Sequence, residues 1–319
     1  MWTCPDDECT GPVSSSSNPL VLITSRPTIL RAFLILTCLA LLLGLGSLHA
    51  QSQANDTAVI SFIDVGQGDS ALLQDTGGFD ILIDGGPTSA GPDVVSYLRA
   101  RGVDSLEVIL NTHADADHVG GLISVLQAPD IAIGAIFTNG YAGTTATWAN
   151  FSAAAAARAI PLQPAQFPLI LHWGVFDVYI LNPAPGLVNP EQNDASVVAR
   201  IDFNSARFLF PGDIDSTIEA TVVARQTPVA AQLLKVAHHG SSTSSSSAFL
   251  SAVQPRVGVI SAGANNAYGH PAPATLARLS AAGVRIWRTD LQGSLQVSSD
   301  GLRIDLPGSG RVFLPFVGR

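Results

Sequence analysis

Five apolar runs in this chain each break off directly into a polar cluster: FIDVGQGDS, ILIDGG, ILNTHADADH, FLFPGD and LLKVAHHGS. LEVILNTH is almost wholly apolar until its end, which is how a strand reads when both of its faces are covered. In open α/β sheets, ligands collect beyond the carboxyl ends of the strands. Five polar strand ends therefore predict one shared pocket. The densest of them, Asn111 to Gly121 (NTHADADHVGG), sets His113, Asp115, Asp117 and His118 on one loop with Gly120 and Gly121 behind.

The intervening text supports a layered α/β chain. AVISFID, SALLQD, DILIDGG and LEVILNTH read as strands, DVVSYLRARG as a helix ending at Gly102, and GGLISVLQ as the next helix. IAIGAIFT, an Ala-rich helix near 148–159 and VFDVYIL follow. The second half repeats the order without repeating the sequence: SVVARIDF, ARFLFPGD, a helix over 215–225, QLLKVAHHG, a helix near 244–253, RVGVISAG, a helix over 273–282, then VRIWRT, GSLQVS and LRIDLP. This order predicts two mixed sheets with helices on the outer faces. No proline-rich linker divides it, so residues 55–319 read as one domain. SSTSSSS (Ser241–Ser247) reads as a loop and helix start.

Residues 1–50 read differently. Arg26 and Arg31 precede the apolar run AFLILTCLALLLGLGSLHA (Ala32–Ala50), which ends in a small residue before Gln51. Basic flank, apolar centre and small-residue end make a secretory leader. The run also approaches the length of a spanning helix, so a retained membrane anchor is the alternative. The domain is accordingly expected outside the cytoplasm, periplasmic or extracellular. Cys4, Cys9 and Cys38 all fall within this segment, leaving the folded part no thiolate ligand. Any metal must be held by His, Asp or Glu. Asp and Glu total 25 against 16 Lys and Arg, a net −9. That balance argues against a broad basic face gripping nucleic acid.

The loop spacing suits metal chemistry. His113 and Asp115 alternate and can clasp one cation; Asp117 and His118 can turn to a second. Asp213, arriving on another strand, could bridge both, and an imidazole of His238-His239 would close the second site. Two divalent cations about 3.5–4 Å apart are a standard device for hydrolysing phosphate esters.

In these motifs the chain resembles the metallo-β-lactamase superfamily, and within it the hydrolase domain of ComEC-type competence proteins. The matching text is FIDVGQGDS, ILIDGG, THADADHVGG, NDASVV, FLFPGD, LLKVAHHGSSTS and YGHP, in that order, over about residues 58–298. The resemblance implies an αββα sandwich. It places His113 and Asp115 at a first metal, Asp117 and His118 at a second, and Asp213 between them. His239, followed by Gly240 and Ser241, is the implied histidine ligand of its pair, and His238 then orients groups or donates protons. Asp84 is the strand-end aspartate that fixes the metal loop. Two departures stand out. The superfamily's common loop has His where Asp115 stands, and Asn193-Asp194 occupies the region of a missing histidine, making Asp194 a candidate ligand. Both harden the first site, so Mn²⁺ competes with Zn²⁺.

Simpler roles compete with these. The loop could be a calcium turn, which its two histidines disfavour. Asp213 could N-cap the following helix. His270 could shape a turn before Pro271 or face the substrate. Asp69 could form the Gly66–Gly68 turn, or that turn's N–H groups could meet a phosphate. His172 and the tryptophans read as structural. Asp117, His238 and His270 are the candidate catalytic groups. The expected protein is an exported hydrolase holding two divalent ions, Zn or Mn, and acting on DNA. The alternatives are a small or envelope-derived phosphoester or lactone as substrate, or a non-catalytic metal-binding module. No protein partner is inferred. Arg256, Arg278, Arg285 and Arg288 could supply a local basic patch.

Overall fold

The computed structural model describes residues 56–188, 190–306 and 310–313. The leader expected over residues 1–50 lies outside them. Among the described residues, no helix is long and apolar enough to cross a membrane.

The chain first lays down β1 (Ala58–Phe62), β2 (Ala71–Asp75), β3 (Asp80–Ile83), β4 (Ser105–Leu110), β5 (Ala132–Thr138) and β6 (Leu162–Pro164). A second sheet follows, from β7 (Leu169–Trp173), β8 (Phe176–Asn182), β9 (Val198–Phe203), β10 (Ala206–Phe210), β11 (Leu233–Lys235), β12 (Val257–Ile260) and β13 (Arg285–Arg288). The chain then returns to the first sheet with β14 (Leu295–Ser299), β15 (Arg303–Leu306) and β16 (Gly310–Phe313). The sheet orders are β16-β15-β14-β1-β2-β3-β4-β5-β6 and β13-β12-β11-β10-β9-β8-β7.

Both sheets are mixed for the same reason. β1, β2 and β3 follow one another without an intervening helix and pair antiparallel. From β3 to β6 the neighbours are parallel, and each step is bridged by helix: Gly91–Ala100, then Ala116–Val119 with Leu122–Gln127, then Ala146–Ala157. The second sheet repeats this, antiparallel from β7 to β10 and parallel from β10 to β13, with helices Ser216–Ala224, Ser247–Val253 and Pro273–Ala281 as crossovers. A parallel pair cannot be closed by a tight turn, so the crossovers cover the outer faces.

Strand periodicity assigns each side chain to a layer. On β3, Ile81 and Ile83 join the central core while Leu82 faces the first helical layer. On β10, Phe208 and Phe210 point to the centre and Leu209 to the second helical layer. Phe62, Phe176, Phe203 and Phe208 fill the space between sheets. Each such side chain contributes about 1.5–3 kcal/mol by leaving water. Strands buried on both sides leave polar residues most room where the chain exits the sheet, and the polar clusters stand there.

The expected αββα order is therefore the observed one. β6, β7 and β16 are additions that the sequence reading passes over. β7 is an edge strand with Ile170 exposed, and it turns into β8 through Gly174 at φ 57°. Its side chains alternate between partial burial and exposure, so the run carries little of the apolar signal of a central strand.

Asp80, at the end of β3 remote from the polar rim, supplies a pH-dependent element. Its N–H donates to Glu107 Oε2 at 2.8 Å, and Gln74 Nε2 donates to its carboxylate at 3.3 Å. Burial raises the carboxyl to about 6 against the Gln74 hydrogen bond, with Glu107, Asp75 and Asp104 adding repulsion. Unfolded, an aspartate titrates near 3.9. Below about pH 4 both states hold the proton and nothing is lost. Between about 4 and 6 the folded state keeps its proton longer, so stability falls as pH rises. Asp80→Asn should raise the melting temperature at pH 7.5 by an amount worth on the order of 1 kcal/mol after solvent screening, and by almost nothing at pH 4. Equal gains at both pH values in calorimetry would contradict this account.

Candidate metal centre

The His/Asp loop hangs from the carboxyl end of β4 and is tied down by Asp84, which follows β3 with φ 55°. The Asp84 carboxylate accepts from Asn111 Nδ2 (3.0 Å), the Thr112 N–H (2.8 Å) and Thr112 Oγ1 (2.7 Å). Its Oδ2 also lies 2.9 Å from His118 Nδ1. Backbone bonds weave three loops together: Gly85 N–H to His118 O (2.7 Å), Gly121 N–H to Gly86 O (2.8 Å), Gly86 N–H to Asp69 O (2.7 Å) and Asp69 N–H to Asp117 O (3.1 Å). This closeness explains the glycines. A Cβ on Gly121 would stand 1.9 Å from Gly85 O, and one on Gly68 2.3 Å from Asp117 O.

The second sheet contributes Asp213, beyond β10, and the His238-His239 pair, beyond β11. The Asp213 N–H donates to Ser196 Oγ at 3.2 Å. The helix that follows is capped by Asp215, which accepts from the N–H groups of Thr217 (2.8 Å) and Ile218 (3.1 Å). Capping thus falls two residues later than Asp213, whose side chain is left for the site. His238 and His239 sit at φ 49° and 51°. Left-handed backbone costs about 1–3 kcal/mol at such residues and gathers at functional sites. Here it delivers two consecutive imidazoles to the rim.

The donors meet at the junction of the two sheets. His118 Nε2 is 3.3 Å from Asp213 Oδ2, His239 Nε2 is 3.2 Å from the same oxygen, and His239 Nε2 is 3.3 Å from Asp117 Oδ2. The His113 ring lies tilted against that of His118, with centroids 4.1 Å apart. Donor atoms of His113, His118 and Asp213 lie within 4.8 Å of one another, as do those of Asp117, His118 and His239. His118 therefore stands in reach of both halves rather than of one.

The buried polar atoms at this junction leave a place for a cation. Nε2 of His113, His118 and His239, and Oδ1 of Asp213, are buried without a hydrogen-bond partner. Buried polar atoms are rarely left so. Three imidazole nitrogens and two carboxylates facing one small space match the donors of a Zn²⁺ or Mn²⁺ site. Burial opposes charge on His118, yet Asp213 and Asp84 hold it well above the ordinary imidazole range. Burial likewise opposes charge on His239, and Asp213 and Asp69 overrule it. Burial would raise Asp213, but His239 and His118 hold it well below the usual carboxylate range.

Other sequence candidates stand around this cluster. Asp115 Oδ2 is 3.6 Å from His113 Nε2 on a half-exposed side chain. Asp115, Asp194, Asp213 and His238 line one open cavity of about 370 Å³ with Glu191 and Asp215. Asp194 sits on that wall and outside the close donor groups; burial, then Asp215 and Glu191, raise its carboxyl. His238 Nε2 is 3.8 Å from Asp213, and its ring centroid is 5.6 Å from that of His270. Nδ1 of both rings is buried without a partner, and burial lowers both pKa values. Asn266 holds the His270 turn by accepting the His270 N–H at 3.0 Å. Asp69 does more than form a turn: its carboxylate is buried against Lys235 and His239. His172 pairs with Asp177 at 2.7 Å on the exposed β7–β8 hairpin.

Sequence reasoning missed Thr112, Ser196, Ser261 and Lys235. The one available signal was Lys235, the chain's only lysine, inside the apolar run LLKVA. Two of the four arginines expected to form a basic patch late in the chain have partners of their own. Arg278 spends its guanidinium on the carbonyls of Ser242, Ser244 and Ser245, and Arg288 pairs with Asp290 at 2.9 Å.

Two mixed sheets under outer helices, with imidazoles and carboxylates gathered at their joint rim, define a hydrolase-like fold with a candidate metal centre. The chain belongs to the metallo-β-lactamase superfamily, whose family model matches residues 63–264. It is 33% identical over 279 residues to "Competence protein ComA" of Neisseria gonorrhoeae, covering 87% of this chain and 37% of that protein. It is 28% identical over 257 residues to "ComE operon protein 3" of Bacillus subtilis, covering 74% and 32%. The chain thus spans about a third of the length of these relatives. Among solved structures it is similar in fold to the metallo-beta-lactamase fold protein YhfI from Bacillus subtilis, with TM-score 0.50 and 12% identity over 77% of this chain and all of that one.

Proposed function

We propose that this chain is a binuclear metal-dependent phosphodiesterase that cuts DNA strands. The observation that carries the reading is the set of buried, unpartnered donors on His113, His118, His239 and Asp213, with Asp117 beside them. Divalent cations bound there would supply Lewis acidity and charge neutralisation for in-line displacement at phosphorus. Asp213 serves both halves, since its Oδ2 faces His118 and His239 alike. Asp84 holds His118 in place. His238 and His270, at the rim, present ring nitrogens to hold or pass a proton where a leaving oxygen would emerge. The harder donor set favours Mn²⁺ alongside Zn²⁺.

The nucleic-acid part of the reading rests on likeness to proteins named for competence. Its obstacle is charge. The cavity beside the donors carries Asp115, Glu191, Asp194, Asp213 and Asp215. Two divalent cations would bring about four positive charges and reverse the local sign. We expect slow, Mn²⁺-stimulated, sequence-independent cleavage of single-stranded DNA, abolished by chelation and weakening steeply as salt rises. Labelled single strands, duplexes and a small aryl phosphodiester, incubated with metal-loaded protein, test this directly.

The size of that cavity, about 370 Å³, favours a second reading: a hydrolase of a small phosphoester. Cleavage of the aryl ester alone, at any salt and with either metal, would establish it in place of the nuclease.

A further inference from the structure

The lysine of this chain is not where a nuclease would want it. Lys235 lies on β11 and is 3% exposed. Its ammonium donates to Val236 O at 2.9 Å and sits 2.7 Å from Asp69 Oδ2. A lysine sealed from solvent cannot meet a substrate, and it is rarely buried unless its partner matters. Asp69 is almost as buried, and its other oxygen lies 3.2 Å from His239 Nδ1. Ser261 O stands 3.0 Å from the same ring nitrogen. His239 Nδ1 thus meets the Ser261 carbonyl in a hydrogen bond with the Asp69 carboxylate in ion-pair contact beside it, which keeps a hydrogen on that side and turns Nε2 toward Asp117 and Asp213.

The site has two such supports, built differently. Behind His118, Asp84 is held by the neutral donors Asn111 and Thr112. Behind His239, Asp69 is held by a cation. One small internal cavity is lined by both carboxylates together with Lys235, Thr112 and Ser261, so they form a single floor. A buried carboxylate keeps its charge only beside a compensating group. Lys235 supplies that group, so Asp69 can stand beside His239 as an anion and, through its charge, strengthen the imidazole as a metal ligand.

We infer that Lys235 is a positioning residue: acting through Asp69, it orients His239 and sets the affinity of that half of the centre for a divalent cation. This rests on the metal-centre reading and extends it to a residue that touches neither cation nor substrate. The structural alternative is that Lys235 and Asp69 are a buried ion pair serving only the fold.

The two can be separated by direct metal binding, measured by calorimetric titration with Zn²⁺ and with Mn²⁺ on the full chain. Lys235→Met and Asp69→Asn should each weaken binding at one of two ions by about 10–100-fold, the scale of losing support behind a metal-bound histidine. Either single change leaves a buried charge or polar group without its partner and can cost stability by itself. The decisive variant is therefore Lys235→Met combined with Asp69→Leu, which removes both charges and restores an apolar floor. We expect its melting temperature without metal to approach the parent's while the weakened binding persists. Parental affinity in a folded double variant overturns the inference and leaves the metal centre standing. If the parent chain itself takes up no divalent cation, the metal-centre reading fails and takes the inference with it.

Discussion

Asp213→Ala should abolish hydrolysis while leaving the fold standing. The side chain is buried, and its Oδ2 is within 3.3 Å of Nε2 on both His118 and His239. Without it, two cations would face each other with no anion between them, and at least one should leave. The expected loss in turnover is on the order of 10³-fold, the scale for removing one preorganised group that stabilises transition-state charge. Metal content should fall in the same sample. The main chain does not depend on this carboxylate, because Asp215 rather than Asp213 caps the following helix. A variant that keeps both ions and near-parental turnover would refute the assignment.

Gly121→Ala should be the most damaging glycine-to-alanine change among the described glycines. The added carbon would stand 1.9 Å from Gly85 O, a backbone atom with nowhere to go. Gly121 donates its N–H to Gly86 O, and Gly85 donates to His118 O, so the two segments cannot part without releasing the His118 loop. Overpacking against side chains costs about 1–3 kcal/mol, and a collision with main chain should reach the upper end or pass it. The expected result is a lower melting temperature together with weaker metal binding. Gly66→Ala makes a fair control, because a Cβ there meets nothing, although its φ of 72° adds some strain. Equal behaviour of the two variants would show that the close approach is relieved elsewhere.

Much of the architecture can be read from the sequence because most of its strands are buried on both faces. ILIDGG, FLFPGD and LLKVAHHG announce strand and exit in one phrase. The HADADH loop is equally legible, since no ordinary turn needs that density of donors. Edge strands are harder: β7 alternates between core and solvent, and its turn rests on Gly174. The choice between Asp213 and Asp215 as cap depends on where the backbone turns helical, which two aspartates so close together cannot declare. The destination of Lys235 was hidden for another reason. A lone lysine in an apolar run reads as a strand edge meeting water until its partner, 166 positions earlier (235 − 69), is known to pack against it.

The donors come from both sheets: His113, Asp117 and His118 from the first, Asp213 and His239 from the second. An ion held by both sets is a clasp across the sandwich, pinning the two layers at their rim as the phenylalanines glue them at their centre. A ligand that binds only the assembled form stabilises it by mass action, about 2.7 kcal/mol at a hundredfold excess over its dissociation constant. The catalytic equipment and the mechanical fastening of the domain are then one object. Starving the protein of metal should loosen the seam between its halves as well as silence its chemistry.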